Sequence, residues 1–355
     1  MFERLNKRRR KLLWTAFKRT RVNMDLLRYA VNRWHILGHD RMKSTTIFHP
    51  TNAMIELGNM CNLHCLMCPR EYEYGKEMDK GFMPLDKVKA IIDEMIPYMD
   101  SIGLTGLGET LLYPHLLDVL QYIKKRKPNV VVTISTNAHF KGYWDKMRPL
   151  LPYLDNVQFS VDGVGEMYEK IRPNTHFSEI SSNIEKTISE AKHIQFMLNF
   201  VISKLNYKDM QNVLEFAHQK EIQYVNFNCM SVASMPAQSR DYYAFFKSTE
   251  FKEACENVRK KAAIYEDMEV TGMQYPQDGE FKDCIFPWEY PYITWDGYYV
   301  PCCGKPFPKL LNFGNVFTDG GVMAVLNSKK AQAFRRQWQK NKAPQFCHNC
   351  QLVDF

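Results

Sequence analysis

From about residue 51 to about 270, short apolar runs alternate with helix-period segments, and this rhythm constrains the fold more than any other feature of the chain. Ala53-Met54-Ile55-Glu56-Leu57 opens the series. Ser101 to Leu104, Val130 to Ile134, Val157 to Ser160, Phe196 to Ile202 and Tyr224 to Asn228 continue it, all suited to buried strands. Between them, Val88, Ile91, Ile92 and Met95 fall on one face of a helix that opens at Pro84. Leu116, Val119, Leu120 and Ile123 do the same on the next helix. Strands this apolar, separated by single helices, require a parallel sheet covered by helices. About six such units predict an α/β fold, a partial (β/α)6 TIM-like barrel whose chemistry sits on loops at the strand C-termini.

The flanks differ from this body. Residues 1–50 hold 13 Lys+Arg against 3 Asp+Glu, whereas the remaining 305 residues hold 34 against 36. The basic character therefore belongs to an N-terminal extension. Leu27, Ala30, Val31 and Trp34 mark one helical face there. That segment reads either as a solvated cap on the body or as a basic amphipathic helix that meets anionic membrane through residues 1–40. After about residue 270, two aromatic and β-branched runs flank Asp296-Gly297, a strong hairpin signal. The expected division is 1–50, a basic helical extension; 51–270, the barrel; and 271–355, a small hairpin and helix module. No run of apolar residues is long enough to span a bilayer, and the short Leu12 to Phe17 stretch is a poor signal peptide. A cytoplasmic protein, in places peripheral to membrane, is expected. Nucleic acid is not an expected partner, since the body has no basic-aromatic stripe.

In a reducing compartment clustered cysteines point to metal. Cys61, Cys65 and Cys68 are spaced Cys-x3-Cys-x2-Cys in the loop after the first strand. Three thiolates are one too few for a closed tetrahedral zinc site or a fully ligated 4Fe–4S cube, so a cluster held this way leaves one iron open to a substrate or cofactor. A zinc site completed by His64 or a distant residue is the competing reading.

This loop, after the first strand of a β/α unit, resembles the signature of radical S-adenosylmethionine (radical SAM) enzymes. The resemblance implies a 4Fe–4S cluster on Cys61, Cys65 and Cys68, with SAM bound to its open iron and cleaved to a 5'-deoxyadenosyl radical. Gly106-Leu107-Gly108-Glu109 resembles the family's Gly-Gly-Glu element, with Leu107 in place of the middle Gly. By that likeness Gly108 and Glu109 hold the SAM amino group, a role that suits a carboxylate. Ser135 and Asn137 end the next strand, where the family places polar groups near SAM. Ser160 and Asp162, with Arg172 downstream, resemble the segment that holds the SAM carboxylate.

The second constellation is Cys284, Cys302, Cys303, Cys347 and Cys350. Cys284 and Cys302 flank the hairpin, and Cys347 and Cys350 form a Cys-x2-Cys knuckle. Four ligands close a zinc site or a second 4Fe–4S cluster. The arrangement resembles the SPASM and twitch modules of the same family, the one-cluster twitch form most nearly, with Cys303 a neighbour or an alternative ligand to Cys302. Cys229 ends a strand and reads either as core filler or as a thiol that returns a hydrogen atom to a substrate radical.

The likeness to twitch dehydrogenases implies net oxidation of a sugar, cyclitol or lipid-linked alcohol, aided by the auxiliary cluster and by a reductant such as flavodoxin or ferredoxin. The wider SPASM likeness implies a maturase of a ribosomal peptide instead. A third reading, of another class, is a non-catalytic iron–sulfur electron carrier.

Overall fold

The computed structural model describes residues 27–34, 44–231, 236–273, 284–340 and 342–347. Most of the basic extension, and Cys350, lie outside the described residues. Nine strands form one sheet in the order β7-β6-β5-β4-β3-β2-β1-β8-β9. They are β1 Asn52–Ile55, β2 Ser101–Leu104, β3 Val131–Thr136, β4 Asn156–Ser160, β5 Gln195–Ile202, β6 Tyr224–Cys229, β7 Glu269–Gly272, β8 Tyr292–Ile293 and β9 Tyr299–Val300. All neighbours from β7 to β8 pair in parallel, and only β8 and β9 are antiparallel. The six expected β/α units are present, and the parallel array is the expected partial barrel.

The covering helices follow the predicted apolar stripes. The first described helix is α1, residues 27–34. It is followed by α2 Leu85–Met95, α3 Leu116–Arg126, α4 Glu166–Ile171, α5 Phe177–Glu190, α6 Met210–Gln219, α7 Pro236–Lys247, α8 Thr249–Ala262, α9 Val322–Leu326 and α10 Lys329–Gln339. The buried positions of α2 are Val88, Ile91, Ile92 and Met95, and those of α3 are Leu116, Val119, Leu120 and Ile123. Burial also alternates along β1, β2, β3, β5 and β6, because successive side chains point to opposite faces. Ile102, Ile134, Phe159, Phe200 and Phe227 are buried on the face toward the helices. The face turned away from them is only half-buried in β3, β5 and β6 and carries polar residues.

Two features go beyond the expected layout. The sheet continues through the expected boundary near residue 270, because β7 extends it beyond β6. At the opposite edge β8 pairs with β1, Met54 with Tyr292 and Ile55 with Ile293. The hairpin module is therefore built onto the barrel's own sheet. In α1 the predicted apolar face is turned outward: Leu27 is 57% and Trp34 73% exposed. The helix instead docks by polar groups: Tyr29 Oη donates to Asp100 at 2.6 Å, Arg33 pairs with Asp100, and Asn32 Nδ2 donates to the His49 carbonyl at 2.8 Å. Among the described residues no helix is long and apolar enough to cross a membrane.

Candidate functional site

The three cysteines of the first constellation lie in the loop that follows β1, at the C-terminal edge of the sheet. The loop is held from several sides. The Cys68 N–H donates to the Cys65 carbonyl at 3.0 Å, the Leu66 N–H to the Ile171 carbonyl at 2.9 Å, and the Tyr72 hydroxyl to the Leu66 carbonyl. The three thiols lie within electrostatic reach of one another. Loss of water pushes all of them up, Cys68 to about 12. Half-buried thiols of this kind become good ligands when a bound metal's charge replaces the lost hydration. Among the described residues no three His, Cys, Asp or Glu side chains converge on a point that one metal ion would occupy. A purely sulfur donor set of three fits an iron–sulfur cluster with one iron left open.

Glu109 lies beside this loop, 4% exposed. Its Oε1 accepts the Leu111 N–H at 3.1 Å and its Oε2 the Asn137 N–H at 2.8 Å. Burial raises its pKa; these N–H groups, the Thr136 hydroxyl and the Arg172 charge act the other way. The Glu109 N–H in turn donates to the Met60 carbonyl at 2.8 Å, fastening this segment to the cysteine loop. Gly108 makes the approach feasible, since a Cβ there would lie 2.5 Å from the Gly58 carbonyl oxygen and 2.6 Å from that of Met60. Asn137 completes the connection: its Nδ2 donates to Asn62 Oδ1 at 3.0 Å and lies 4.0 Å from Cys61 Sγ. Gly108, Glu109 and Asn137 are thus brought together against the cysteine loop.

Ser160, Asp162 and Arg172, the trio expected near the SAM carboxylate, are held mainly by protein partners. Asp162 is 3% and Arg172 7% exposed, and the Nε and Nη2 of Arg172 both donate to Asp162 Oδ2, at 3.0 and 2.5 Å. Asp162 Oδ1 accepts the Val201 N–H at 2.8 Å. One edge of the guanidinium fork is therefore taken by the protein, because a buried cation needs a partner. Asp162 orients Arg172. Ser160 stands opposite Asn199 on β5, and Ser135 Oγ lies 3.3 Å from Gln158 Oε1. The Cys229 thiol is 4% exposed on the helix-side face of β6, in line with Val225 and Phe227, with Cys255 of α8 as a neighbouring thiol.

At the C-terminal module, Lys305 Nζ donates to the Phe346 carbonyl at 2.5 Å. This contact ties the loop after Cys302 and Cys303 to the turn that carries Cys347. Cys302 lies within electrostatic reach of the buried Tyr299, and Cys303 within reach of the buried Tyr292. The two adjacent thiols thus serve different surroundings. Cys284, Cys302, Cys303 and Cys347 are all partly exposed.

Three residues of the site escape the sequence reading. Glu56, fully buried at the end of the first strand run, accepts the Leu107 N–H at 2.8 Å and the Tyr292 hydroxyl at 2.7 Å. A charged residue inside an apolar run was its available signal. Asn59 shapes the cysteine loop, donating to the Asp79 carbonyl at 2.7 Å and accepting the Gly81 N–H at 3.0 Å. Arg70, two residues after Cys68, is 5% exposed.

Comparisons with known proteins agree with this geometry. A family model described as the radical SAM superfamily matches residues 55–217, and one described as SPASM, an iron–sulfur cluster-binding domain, matches residues 284–351. A tungsten-containing aldehyde ferredoxin oxidoreductase cofactor-modifying protein of Pyrococcus furiosus is 26% identical over 172 residues, 46% of each chain. The chain spans about a third to a half of the length of the first curated relatives it matches. SuiB of Streptococcus suis superposes with a TM-score of 0.64 at 15% identity, covering 86% of this chain and 71% of that one. The protein anSMEcpe with bound AdoMet gives 0.60 at 16%, covering 86% and 84%. The first matched domain implies a 4Fe–4S cluster and SAM as cofactors and the second auxiliary iron–sulfur clusters, so the chain belongs to the radical SAM superfamily and carries a SPASM domain.

Proposed function

We propose that this chain is an oxidoreductase that removes a hydrogen atom from a hydroxyl-bearing substrate and converts the alcohol to a carbonyl. The observation that carries this reading is a row of uncharged polar side chains in register across four strands. Ser160 on β4 stands opposite Asn199 on β5, Asn199 opposite Asn226 on β6, and Asn226 opposite Thr271 on β7. Asn199 Oδ1 accepts Nδ2 of Asn226 at 3.2 Å and of Asn228 at 2.8 Å, and Thr271 Oγ1 donates to Asn226 Oδ1 at 3.0 Å. With its oxygen engaged, Asn199 presents its amide donors. The row starts at Ser160, beside the residues expected to hold SAM, and no residue in it is ionisable. Such a surface suits neutral hydroxyl groups.

When bound, SAM and its cluster would supply a hydrogen-abstracting 5'-deoxyadenosyl radical and the auxiliary cluster an acceptor for the remaining electron, while the hydroxyl proton leaves to solvent. The chain's own residues do the positioning. Cys61, Cys65 and Cys68 hold the first cluster. Cys284, Cys302, Cys347 and Cys350 hold the second. Gly108, Glu109, Ser135, Asn137, Ser160 and Arg172 hold SAM, with Asp162 fixing the guanidinium and Cys229 left in the core. A flavodoxin or ferredoxin is the proposed reductant.

The experiment is anaerobic reconstitution, reduction, addition of SAM and measurement of 5'-deoxyadenosine with neutral polyols, aminocyclitols and peptides as candidate substrates. Faster nucleoside formation with a hydroxylated compound, accompanied by a carbonyl product, supports the reading. Stimulation by peptides alone would replace it with the peptide-maturase reading, in keeping with the precursor peptide bound to SuiB. No nucleoside from a protein carrying both clusters, with any candidate, would favour an electron carrier.

A further inference from the structure

Two arginines are buried beside the cysteine loop, and they are paired unequally. Arg172 donates twice to Asp162 Oδ2, as described. Arg70 is buried to the same degree, yet its Nη1 is fully covered and has no hydrogen-bond partner among the described residues. The adjacent carboxylate reaches it only as a long ion pair. Glu71 turns its Oε2 toward His64 Nδ1 at 3.2 Å, while its Oε1 lies 3.9 Å from Arg70 Nη2, beyond hydrogen-bonding range. A guanidinium so weakly paired in such a place carries a desolvation cost that a further anion would offset.

Its placement is tightly determined. Arg70 sits in a helical turn, Pro69–Glu71, that follows Cys68 directly, and the Glu71 N–H donates to the Cys68 carbonyl at 3.0 Å. Gly75 packs on this turn so closely that a Cβ would lie 2.4 Å from Arg70 Cα and 2.1 Å from the Pro69 carbonyl oxygen. The Arg70 charge reaches all three thiols, Cys61, Cys65 and Cys68.

We propose that Arg70 is the countercharge to the iron–sulfur cluster held by Cys61, Cys65 and Cys68, and that it raises the reduction potential of that cluster. The inference rests on the assignment of these cysteines to the SAM-binding cluster. Cluster potentials respond to net charge, hydrogen bonds to sulfur and exposure to solvent. Reduction adds one negative charge, so a fixed buried cation nearby favours the reduced form. The guanidinium also has N–H donors left over for cluster sulfur.

The test is an EPR-monitored redox titration of the reconstituted full chain, following the signal that changes on addition of SAM, alongside iron and sulfide analysis. Arg70→Gln is expected to hold wild-type iron while its reduced-to-oxidised ratio at a fixed potential falls about tenfold, a ~59 mV negative shift for a one-electron couple. Arg70→Lys, which keeps the charge without the fork, should recover most of that shift. A wild-type midpoint in Arg70→Gln overturns the proposal, as does an equal shift in both variants. Should Arg70→Gln lose its cluster, Arg70→Lys decides: wild-type iron and midpoint support the countercharge, and loss of iron despite the retained charge overturns it. Absence of any SAM-responsive signal in the wild type removes the cluster assignment itself, and the proposal with it.

Discussion

The Tyr292 hydroxyl donates to Glu56 Oε2 at 2.7 Å, a fully buried bond between residues 236 apart in the chain. The same oxygen accepts the Leu107 N–H at 2.8 Å, and Trp295 N lies 3.4 Å from Oε1. One carboxyl group thus joins the first strand, the Gly106-Leu107-Gly108-Glu109 segment and the C-terminal hairpin. Tyr292 also lies within reach of Cys303, so the link connects the two cysteine constellations.

Tyr292→Phe leaves a buried acceptor with one donor fewer. It should cost about 1–3 kcal/mol and lower Tm by several degrees in thermal unfolding, with the iron of the first site retained. An unchanged Tm would mean that the hairpin is held without this bond.

Glu56 also sets a pH dependence. Burial raises its pKa above the ordinary 4.5, against the opposing pull of the Leu107 N–H and the Tyr292 hydroxyl. A raised folded-state pKa contributes stability that is fully present below the unfolded value and is lost as pH rises through the folded one. Glu56→Gln cannot ionise, so its Tm should fall less than that of the wild type between pH 4.5 and neutrality. Parallel Tm profiles for the two proteins would show that Glu56 ionises in the fold as it does in water.

Asp162→Asn removes the anion that neutralises Arg172. Breaking a buried pair by deleting one partner costs about 3–5 kcal/mol, and the freed guanidinium loses its orientation. Both Tm and SAM affinity, by calorimetry, should drop. Arg172→Lys should also bind SAM poorly, because an ammonium cannot reproduce the Nε and Nη2 contacts. Wild-type affinity in both variants would place the SAM carboxylate elsewhere.

The barrel was legible because each of its first six strands is an apolar run long enough to stand out, and the helix stripes are regular. The two cysteine constellations stood out because thiols are few and their spacing is local. The attachment of β8 to β1 was not, since two residues carry no periodicity and the choice of partner strand is settled by packing over a separation of more than two hundred residues. The same limit hid the pairing of Asp162 with Arg172 and the weak pairing of Arg70. Which buried charge is neutralised depends on three-dimensional neighbours, not on residue type. The docking of α1 was not legible for a related reason: the helix is held by Tyr29, Asn32 and Arg33, polar residues whose partners Asp100 and His49 lie outside it.

The polar row supplies the most direct test of substrate chemistry. Asn199 stands at its centre, its Oδ1 holding the amides of Asn226 and Asn228 and its own amide donors left to a ligand. Asn199→Ala should raise KM for a hydroxylated substrate about tenfold, the equivalent of about 1.4 kcal/mol, while the slow, substrate-independent formation of 5'-deoxyadenosine stays at its wild-type rate. Asn199→Asp keeps the shape and the acceptor but exchanges donors for a charge, so it should show the same rise in KM and recover partly at low pH, where the carboxyl is protonated. If both variants keep the wild-type KM, the row belongs to the scaffold and the substrate lies against another part of the barrel mouth. If both lose the substrate-independent reaction as well, Asn199 supports SAM through its neighbour Ser160, and the reading of this face as a substrate surface fails.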